Sequence, residues 1–318
     1  MRNARSALIL PLLSALFIRA AASMEAPPTD ALTYYLRGSG YAKQGLHSRA
    51  IADFTKALEL NPKLAEAYLY RGQIYARRAQ PDEALSDLTK AIDLDPANVV
   101  GYTLRGNLYA EKGRYDQAIA DYSKSLELNP RSAEVYNSRG NAYEHKDQRD
   151  HAIADYSKAL EINPGYALAM YNRGNAYLRK GDHDRAIADY NKTLDIDPMD
   201  AGAYNNRGNG YRAKGEFDRA IADYSRALEI EPSFVLAYNN RGLAYSDKGH
   251  YSQAIADYTK ALEINPGYAL SYMNRSVAHY SLKDYNRSWD DAYKARRLGL
   301  RFPPGFIGEL RKASGTEK

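Results

Sequence analysis

The sequence predicts an all-α solenoid, a line of stacked helix pairs with no central core. Three observations carry that prediction. Seven prolines, Pro62, Pro96, Pro130, Pro164, Pro198, Pro232 and Pro266, stand 34 residues apart without a slip. A fixed period of that length marks a stacked repeat array. Within each period two helix-length apolar patterns flank a short turn, and no stretch reads as a strand. The 318 residues therefore count repeats and not domains.

One copy, Ala203 to Pro232, reads AYNNRGNGYRAKGEFDRAIADYSRALEIEP and justifies the elements in order. A first helix leads to Lys214-Gly215-Glu216, where glycine can take the left-handed conformation that ends a helix. Asp218 follows, placed where an acid meets the positive end of the next helix. The second helix is expected from about Phe217 to Ile230, and Pro232 stops it because proline cannot continue the hydrogen-bond ladder. Asn98, Ser132 and Asp200 stand just past three of the prolines as caps for the next first helix. Gly38, Gly72, Gly106, Gly140, Gly174, Gly208 and Gly242 recur in mid-helix. Glycine there costs about 1 kcal/mol against alanine, so a close helix approach is the expected reason. Nineteen of the 29 tyrosines occupy the three positions of Tyr204, Tyr211 and Tyr224, which reads as inter-helix packing by large rings.

Tyr204, Gly208, Tyr211, Ala220, Tyr224, Ala227 and Pro232 have the spacing of the tetratricopeptide-repeat (TPR) signature, with Tyr204 in the usual Trp position and Tyr224 in the usual Phe position. The resemblance spans eight repeats, 31–64, 65–98, 99–132, 133–166, 167–200, 201–234, 235–268 and 269–302. It implies paired antiparallel helices wound into a right-handed superhelix with a concave groove. It also implies a non-enzymatic scaffold that holds an extended segment of a partner protein. The eighth repeat departs from the pattern, with Ser276, His279, Ser288 and Ala292 in place of Gly, Tyr, Ala and Tyr. Trp289, the single Trp, replaces an Ile, and Leu300 stands where a proline would. Terminal repeats lack a neighbour on one side and are expected to differ. Pro303 and Pro304 open a capping helix over residues 303–313, with Phe306, Ile307 and Leu310 on its apolar face, before a tail at 314–318.

Residues 1–22 differ from the rest. Arg2 and Arg5 precede an apolar run from Ala7 to Ile18, small residues follow at Ala20-Ala21-Ala22, and no acid occurs before Glu25. This is the layout of a secretory signal peptide, which implies a periplasmic or secreted protein, with residues 23–30 as a linker. Two alternatives stay open: an organellar transit peptide, and a start at Met24 that leaves the chain cytoplasmic. The formal charge is +5, and Arg2, Arg5 and Arg19 account for three of it, leaving +2. That balance gives no basis for nucleic-acid binding, which calls for clustered cations on one face. With no cysteine, disulfides and thiolate chemistry are excluded.

Two further regularities carry chemistry. Arg37, Arg71, Arg105, Arg139, Arg173, Arg207, Arg241 and Arg275 hold one position in all eight repeats. Asp53, Asp87, Asp121, Asp155, Asp189, Asp223, Asp257 and Asp291 hold another. Both lie on otherwise apolar stretches, where an unpaired charge is costly. An Arg–Asp ladder is therefore expected to tie the two helices of a repeat, or neighbouring repeats. The second regularity is amide-rich. Asn172, Asn206, Asn240 and Asn274 share one first-helix position, Asn107, Asn141, Asn175 and Asn209 another three residues on, and Asn205 and Asn239 flank the first set. Asn is a poor helix former, so its recurrence asks for a reason. A side-chain amide offers donor and acceptor together, which suits gripping a peptide backbone without reading its sequence.

The repeat arrays of O-linked N-acetylglucosamine transferases, which this array resembles, line their groove with such a ladder. All ten of these asparagines are expected to form the peptide-binding face, with replacement of Asn206, Asn240 and Asn274 by Ala weakening binding at nearly constant Tm. Leu36, Leu69, Tyr70 and Leu104 make the early face apolar. The lysines and arginines of a chaperone-tail carboxylate clamp are missing: Tyr35, Leu69, Thr103 and Asn137 stand at the relevant positions. The six histidines are scattered, most of them near turns, and read as solvated. Neither metal nor cofactor is expected. The 16 residues after the repeats carry no transferase domain. A protein or peptide partner is expected, with no nucleic acid, membrane span or small-molecule substrate. The alternative is a substrate-recognition or assembly subunit of a larger enzyme or secretion complex.

Overall fold

The computed structural model describes residues 29–303 and 305–315. The expected leader, residues 1–22, lies outside the described residues, as do 23–28 of the linker and 316–318 of the tail. Seventeen helices run through the described residues, with no strand among them. First helices of the eight repeats are α1 (Ala31–Lys43), α3 (Ala65–Arg77), α5 (Val99–Glu111), α7 (Ala133–His145), α9 (Ala167–Arg179), α11 (Ala201–Ala213), α13 (Val235–Asp247) and α15 (Ala269–Ser281). Second helices are α2 (His47–Leu60), α4 (Pro81–Leu94), α6 (Tyr115–Leu128), α8 (Arg149–Ile162), α10 (His183–Ile196), α12 (Phe217–Ile230), α14 (Tyr251–Ile264) and α16 (Tyr285–Arg297). A last helix, α17, spans Phe306–Ser314. The chain is an all-α solenoid closed by a C-terminal helix. Its described residues divide into two compact units, the first ending at Asn129 and the second beginning at Pro130.

Local chemistry sets the helix ends. The side chains of Asn98, Ser132 and Asp200 accept from the amides of Gly101, Val135 and Ala203 at 2.8, 3.4 and 2.9 Å. Gly215 takes φ 77° at the inter-helix turn, as expected, and Ala79, Asp147 and Lys283 adopt the same left-handed conformation in the repeats that lack glycine there. Lys214 Nζ then reaches back to Asp184 Oδ1 of the preceding repeat at 2.6 Å. Lys180–Asp150 and Lys248–Asp218 repeat that link.

The mid-helix glycine is explained by a ring. A Cβ on Gly208 would lie 2.7 Å from Tyr224 Cε1, and one on Gly242 2.5 Å from Tyr258 Cε1. Tyr224 and Tyr258 are wholly buried, each ring packed against the glycine of its own repeat's first helix. In repeat eight, Ala292 takes the ring's place and Ser276 the glycine's. Ser276 Oγ donates to the Ser288 carbonyl at 2.8 Å, and Ser288 Oγ donates to the Ser276 carbonyl at 2.9 Å.

All eight Arg–Asp pairs form within their own repeats. In repeat six, Arg207 Nε and Nη2 donate to Asp223 Oδ2 and Oδ1 at 2.8 and 2.7 Å. Its third nitrogen, Nη1, donates to Asn191 Oδ1 of the preceding repeat at 2.7 Å. Arg71, Arg105, Arg173, Arg241 and Arg275 make the same outward bond to Thr55, Thr89, Ser157, Ser225 and Thr259. Of the two arrangements expected from the sequence, the Arg–Asp pairing takes the one within a repeat, and the bond across repeats goes to a hydroxyl or amide that the expectation did not include. The hydrogen bonds that Arg207 donates to Asp223 raise the pKa of Arg207 against the opposing effect of desolvation.

Contacts between first helices set the curvature of each unit. In the first unit α1 touches α3 and α3 touches α5; in the second, α7, α9, α11, α13 and α15 touch in series. Within each unit no comparable contact joins successive second helices among the described residues. Each stack therefore bends toward its first helices, which line the inside of the curve.

The terminal helix covers repeat eight but begins later than expected. Gly305, at φ 99°, turns the chain before α17, so the helix starts at Phe306 and not at Pro303. Leu310 is fully buried. Phe306 packs edge-on against Tyr280 with centroids 5.6 Å apart, and Trp289 Nε1 donates to Ser314 Oγ at 3.0 Å. His279 also departs from the reading of solvated histidines. It occupies the position of a packing tyrosine, is 6% exposed, and has its pKa lowered by burial.

Candidate functional site

The asparagines of the second unit form a connected row on the first helices, because the 34-residue period brings the same turn of each helix to the same height. Asn172 Nδ2 on α9 donates to both Asn137 Oδ1 and Asn141 Oδ1 on α7, at 3.0 and 3.1 Å. Asn206 Nδ2 on α11 donates to Asn175 Oδ1 and Tyr171 Oη on α9, at 2.9 and 3.0 Å. Asn240 Nδ2 on α13 donates to Asn205 Oδ1, and Asn274 Nδ2 on α15 to Asn239 Oδ1, at 3.0 and 2.9 Å. Each repeat's amide thus bridges to the repeat before it.

A second set of bonds fixes the direction of the amides. Tyr156, Tyr190 and Tyr224 donate through Oη to Asn141, Asn175 and Asn209 Oδ1 at 2.7, 2.7 and 2.8 Å. The same bond joins Tyr122 to Asn107 in the first unit, at 2.8 Å. The buried ring that demands glycine on the first helix therefore also orients an asparagine one residue further on. Burial raises the pKa of Tyr156, Tyr190 and Tyr224, which keeps the phenol a donor. With Oδ1 occupied, the Nδ2 groups of Asn141 and Asn209 have no protein partner.

The structure corrects two of the ten expected positions. Asn205 and Asn239 are each 4% exposed and cannot line a groove. Their slot points into the seam between first helices, where Asn205 Nδ2 donates to Asn206 Oδ1 and Asn239 Oδ1 accepts from Ser271 Oγ. Asn107, Asn141, Asn172, Asn175, Asn206, Asn209, Asn240 and Asn274 are all half-buried on the first-helix side. Asn137 was missed, although it stands two periods before Asn205. Since Asn206, Asn240 and Asn274 bridge repeats, their replacement by Ala removes inter-repeat hydrogen bonds as well as groove amides. The expectation of a nearly constant Tm for that variant does not hold, at about 1 kcal/mol for each such bond.

A cavity of about 360 Å³ opens between α7, α8 and α9, lined by Asn141, Glu144, His145, Tyr156, Asn172, Asn175 and Arg179. Arg179 Nη1 donates to Glu144 Oε2 at 2.6 Å. Two repeats on, Arg212 pairs with Asp247 at the same offset, also at 2.6 Å, with the order of charges reversed. Neither pair follows from the repeat pattern, because these positions vary from copy to copy. In the first unit the first-helix face is apolar, with Leu36 and Tyr70 59% and 40% exposed, while Leu69 and Leu104 pack partly into the core. No group of three or more metal-ligating side chains gathers among the described residues.

The fold and this face define a helix-pair repeat scaffold. Patterns described as "Tetratricopeptide repeat" match residues 31–64, 65–98, 88–120, 133–166, 167–200 and 235–268, and one described as "TPR repeat" matches 106–147 and 208–249. The chain belongs to the tetratricopeptide-repeat family, whose members are in general non-catalytic scaffolds for protein interaction. No curated protein matches it. Among solved structures, YrrB, described as "a TPR protein with an unusual peptide-binding site", is 26% identical over 58% of this chain and 95% of its own, with a TM-score of 0.53. MamA is 32% identical over 53% of this chain and 92% of its own, with a TM-score of 0.51. A tetratricopeptide repeat protein from Parabacteroides merdae, 21% identical over 79% of this chain and 99% of its own, shares the fold at a TM-score of 0.62.

Proposed function

We propose that residues 130–315 hold an extended segment of a partner protein along the first-helix side, in a non-enzymatic scaffold. One observation carries the reading. Buried tyrosine hydroxyls occupy the Oδ1 atoms of Asn141, Asn175 and Asn209, and this turns amide donors toward the inside of the curve at a 34-residue repeat. Regularly spaced donors of fixed direction suit the carbonyls of an extended backbone, and pre-orientation lowers the entropy lost on binding. The likeness to YrrB, a peptide-binding TPR protein, supports the same reading. We further propose that the acid-free leader exports the chain, which N-terminal sequencing of the native protein tests.

The binding test begins with selection of a random linear peptide library on the full chain. The enriched peptides are then titrated into ¹⁵N-labelled protein while the asparagine side-chain amides are followed by NMR. Shifts in the Nδ2 protons of Asn141, Asn175 and Asn209 are expected. Absence of any enriched peptide, or shifts confined to second-helix residues, overturns the proposal.

A further inference from the structure

We infer that the cavity between α7, α8 and α9 is a selective pocket for a primary carboxamide, the side chain of a Gln or Asn in the bound segment. The inference rests on the peptide-binding reading above and adds a side-chain preference to a face otherwise suited to backbone.

The argument is an accounting of unmet hydrogen-bonding capacity. Glu144 has one carboxylate oxygen on Arg179. Its other oxygen, Oε1, is buried from solvent and has no partner, and the side chain is only 12% exposed. A buried, unpaired carboxylate oxygen is costly, and such a group in a cavity calls for a donor. Asn172 spends Nδ2 on Asn137 and Asn141, which leaves its Oδ1 as a second acceptor. Asn141 Oδ1 already takes bonds from Tyr156 and Asn172, which leaves its Nδ2 as a donor. The pocket therefore presents two free acceptors, Glu144 Oε1 and Asn172 Oδ1, and as donors Asn141 Nδ2 and the Arg179 N–H groups not spent on Glu144, and the Glu144–Arg179 pair makes it formally neutral.

Three side-chain chemistries can be set against that pattern. An ammonium has donors only, so it faces the Asn141 amide without an acceptor and adds a positive charge beside Arg179. A carboxylate has acceptors only and meets Glu144 head-on. A primary carboxamide carries two N–H donors and one carbonyl acceptor, so of the three it alone can donate to both free acceptors and accept from Asn141 or Arg179 without adding charge. Among the described residues a carboxylate stands at this position once, because the positions equivalent to Glu144 are Ala42, Ala76, Ala110, Leu178, Arg212, Ser246 and Tyr280. A single preferred position in the bound segment follows.

The test uses the random-library peptides on the full-length chain. Enriched sequences are expected to share Gln or Asn at one position. Replacing that residue by Leu, Lys or Glu in a synthetic peptide should weaken binding about tenfold or more, the effect of leaving a buried charged group unpaired. In Glu144→Ala the penalty for the Leu peptide should shrink to about threefold or less, since the acceptor is gone. The peptide series on the wild-type chain decides the question even if that variant folds poorly. Enriched peptides with no carboxamide position, a preference for Lys or Glu there, or a Gln preference unchanged in Glu144→Ala overturn the pocket while leaving the groove standing. Failure to enrich any peptide overturns both.

Discussion

Gly208→Ala should destabilise the protein, and the same substitution should stabilise it once Tyr224 is removed. An alanine Cβ at 208 would lie 2.7 Å from Tyr224 Cε1, and ordinary contact begins at 3.4 Å, so the ring must retreat about 0.7 Å. It has nowhere to go. Tyr224 is fully buried, and its hydroxyl is held on Asn209 at 2.8 Å. Overpacking of this kind costs about 1–3 kcal/mol, and a strained hydroxyl bond adds about 1. Helix propensity returns about 1 kcal/mol to alanine. The net expectation is a loss of about 1–3 kcal/mol. In a Tyr224→Ala background the clash is absent and only the propensity gain of about 1 kcal/mol remains. Repeat eight already holds that combination, with Ala292 for the ring and Ser276 for the glycine. The assay is urea unfolding of the four chains of the cycle. Because a repeat array can unfold in parts, amide exchange in α11 and α12 accompanies it. Equal effects of Gly208→Ala in the two backgrounds, or stabilisation by it in the parent, would refute the argument that the ring excludes a side chain.

Two further outcomes follow from the buried groups. Arg207→Met or Asp223→Leu alone should cost about 3 kcal/mol by stranding the remaining charge, and the double variant should cost at least about 1.5 kcal/mol less than the sum; additive losses in urea titration would rule out the pairing. Alkaline pH should unfold the chain late and cooperatively. Burial pushes the pKa of Tyr258 up to about 12 and raises those of Tyr156, Tyr190 and Tyr224. Below about pH 10 these phenols are neutral in both states and their contribution is complete. Above it the unfolded chain ionises first, so stability falls as pH rises through the folded-state values. Tyrosinate absorbance should therefore rise for the exposed rings before, and for these four together with, loss of helical circular dichroism.

The fold was legible because its signals repeat. One glycine in a helix says little, but the same glycine at Gly38 and six further periods requires a cause in the fold. The cause itself could have been read more sharply. Gly38 and Gly72 stay opposite Phe54 and Leu88, but where the facing position shrinks to Ala292 the glycine position gains a side chain, at Ser276. Glycine and a bulky facing side chain thus go together within one chain, which points to the contact without a structure. The Arg–Asp ladder was legible for the same reason, though the outward bond to Thr55, Ser157 and their equivalents was not, since those side chains vary among Thr, Ser and Asn. The candidate site was read only in part. Helical spacing places Asn205 beside Asn206 but does not say which of two adjacent amides turns into the seam. That depends on how closely successive first helices approach, a tertiary quantity. Glu144 and Arg179 were invisible for the opposite reason: the pair occurs once, and a reading built on recurrence discards what does not recur. In a repeat scaffold the recurring residues build the stack, and the residues that break the period are free to distinguish one partner from another. The departures from the repeat, Glu144 with Arg179 and Arg212 with Asp247 in the second unit and Leu36 with Tyr70 in the first, are therefore where specificity is to be sought, and the amide row is where the proposed grip on a backbone is to be tested.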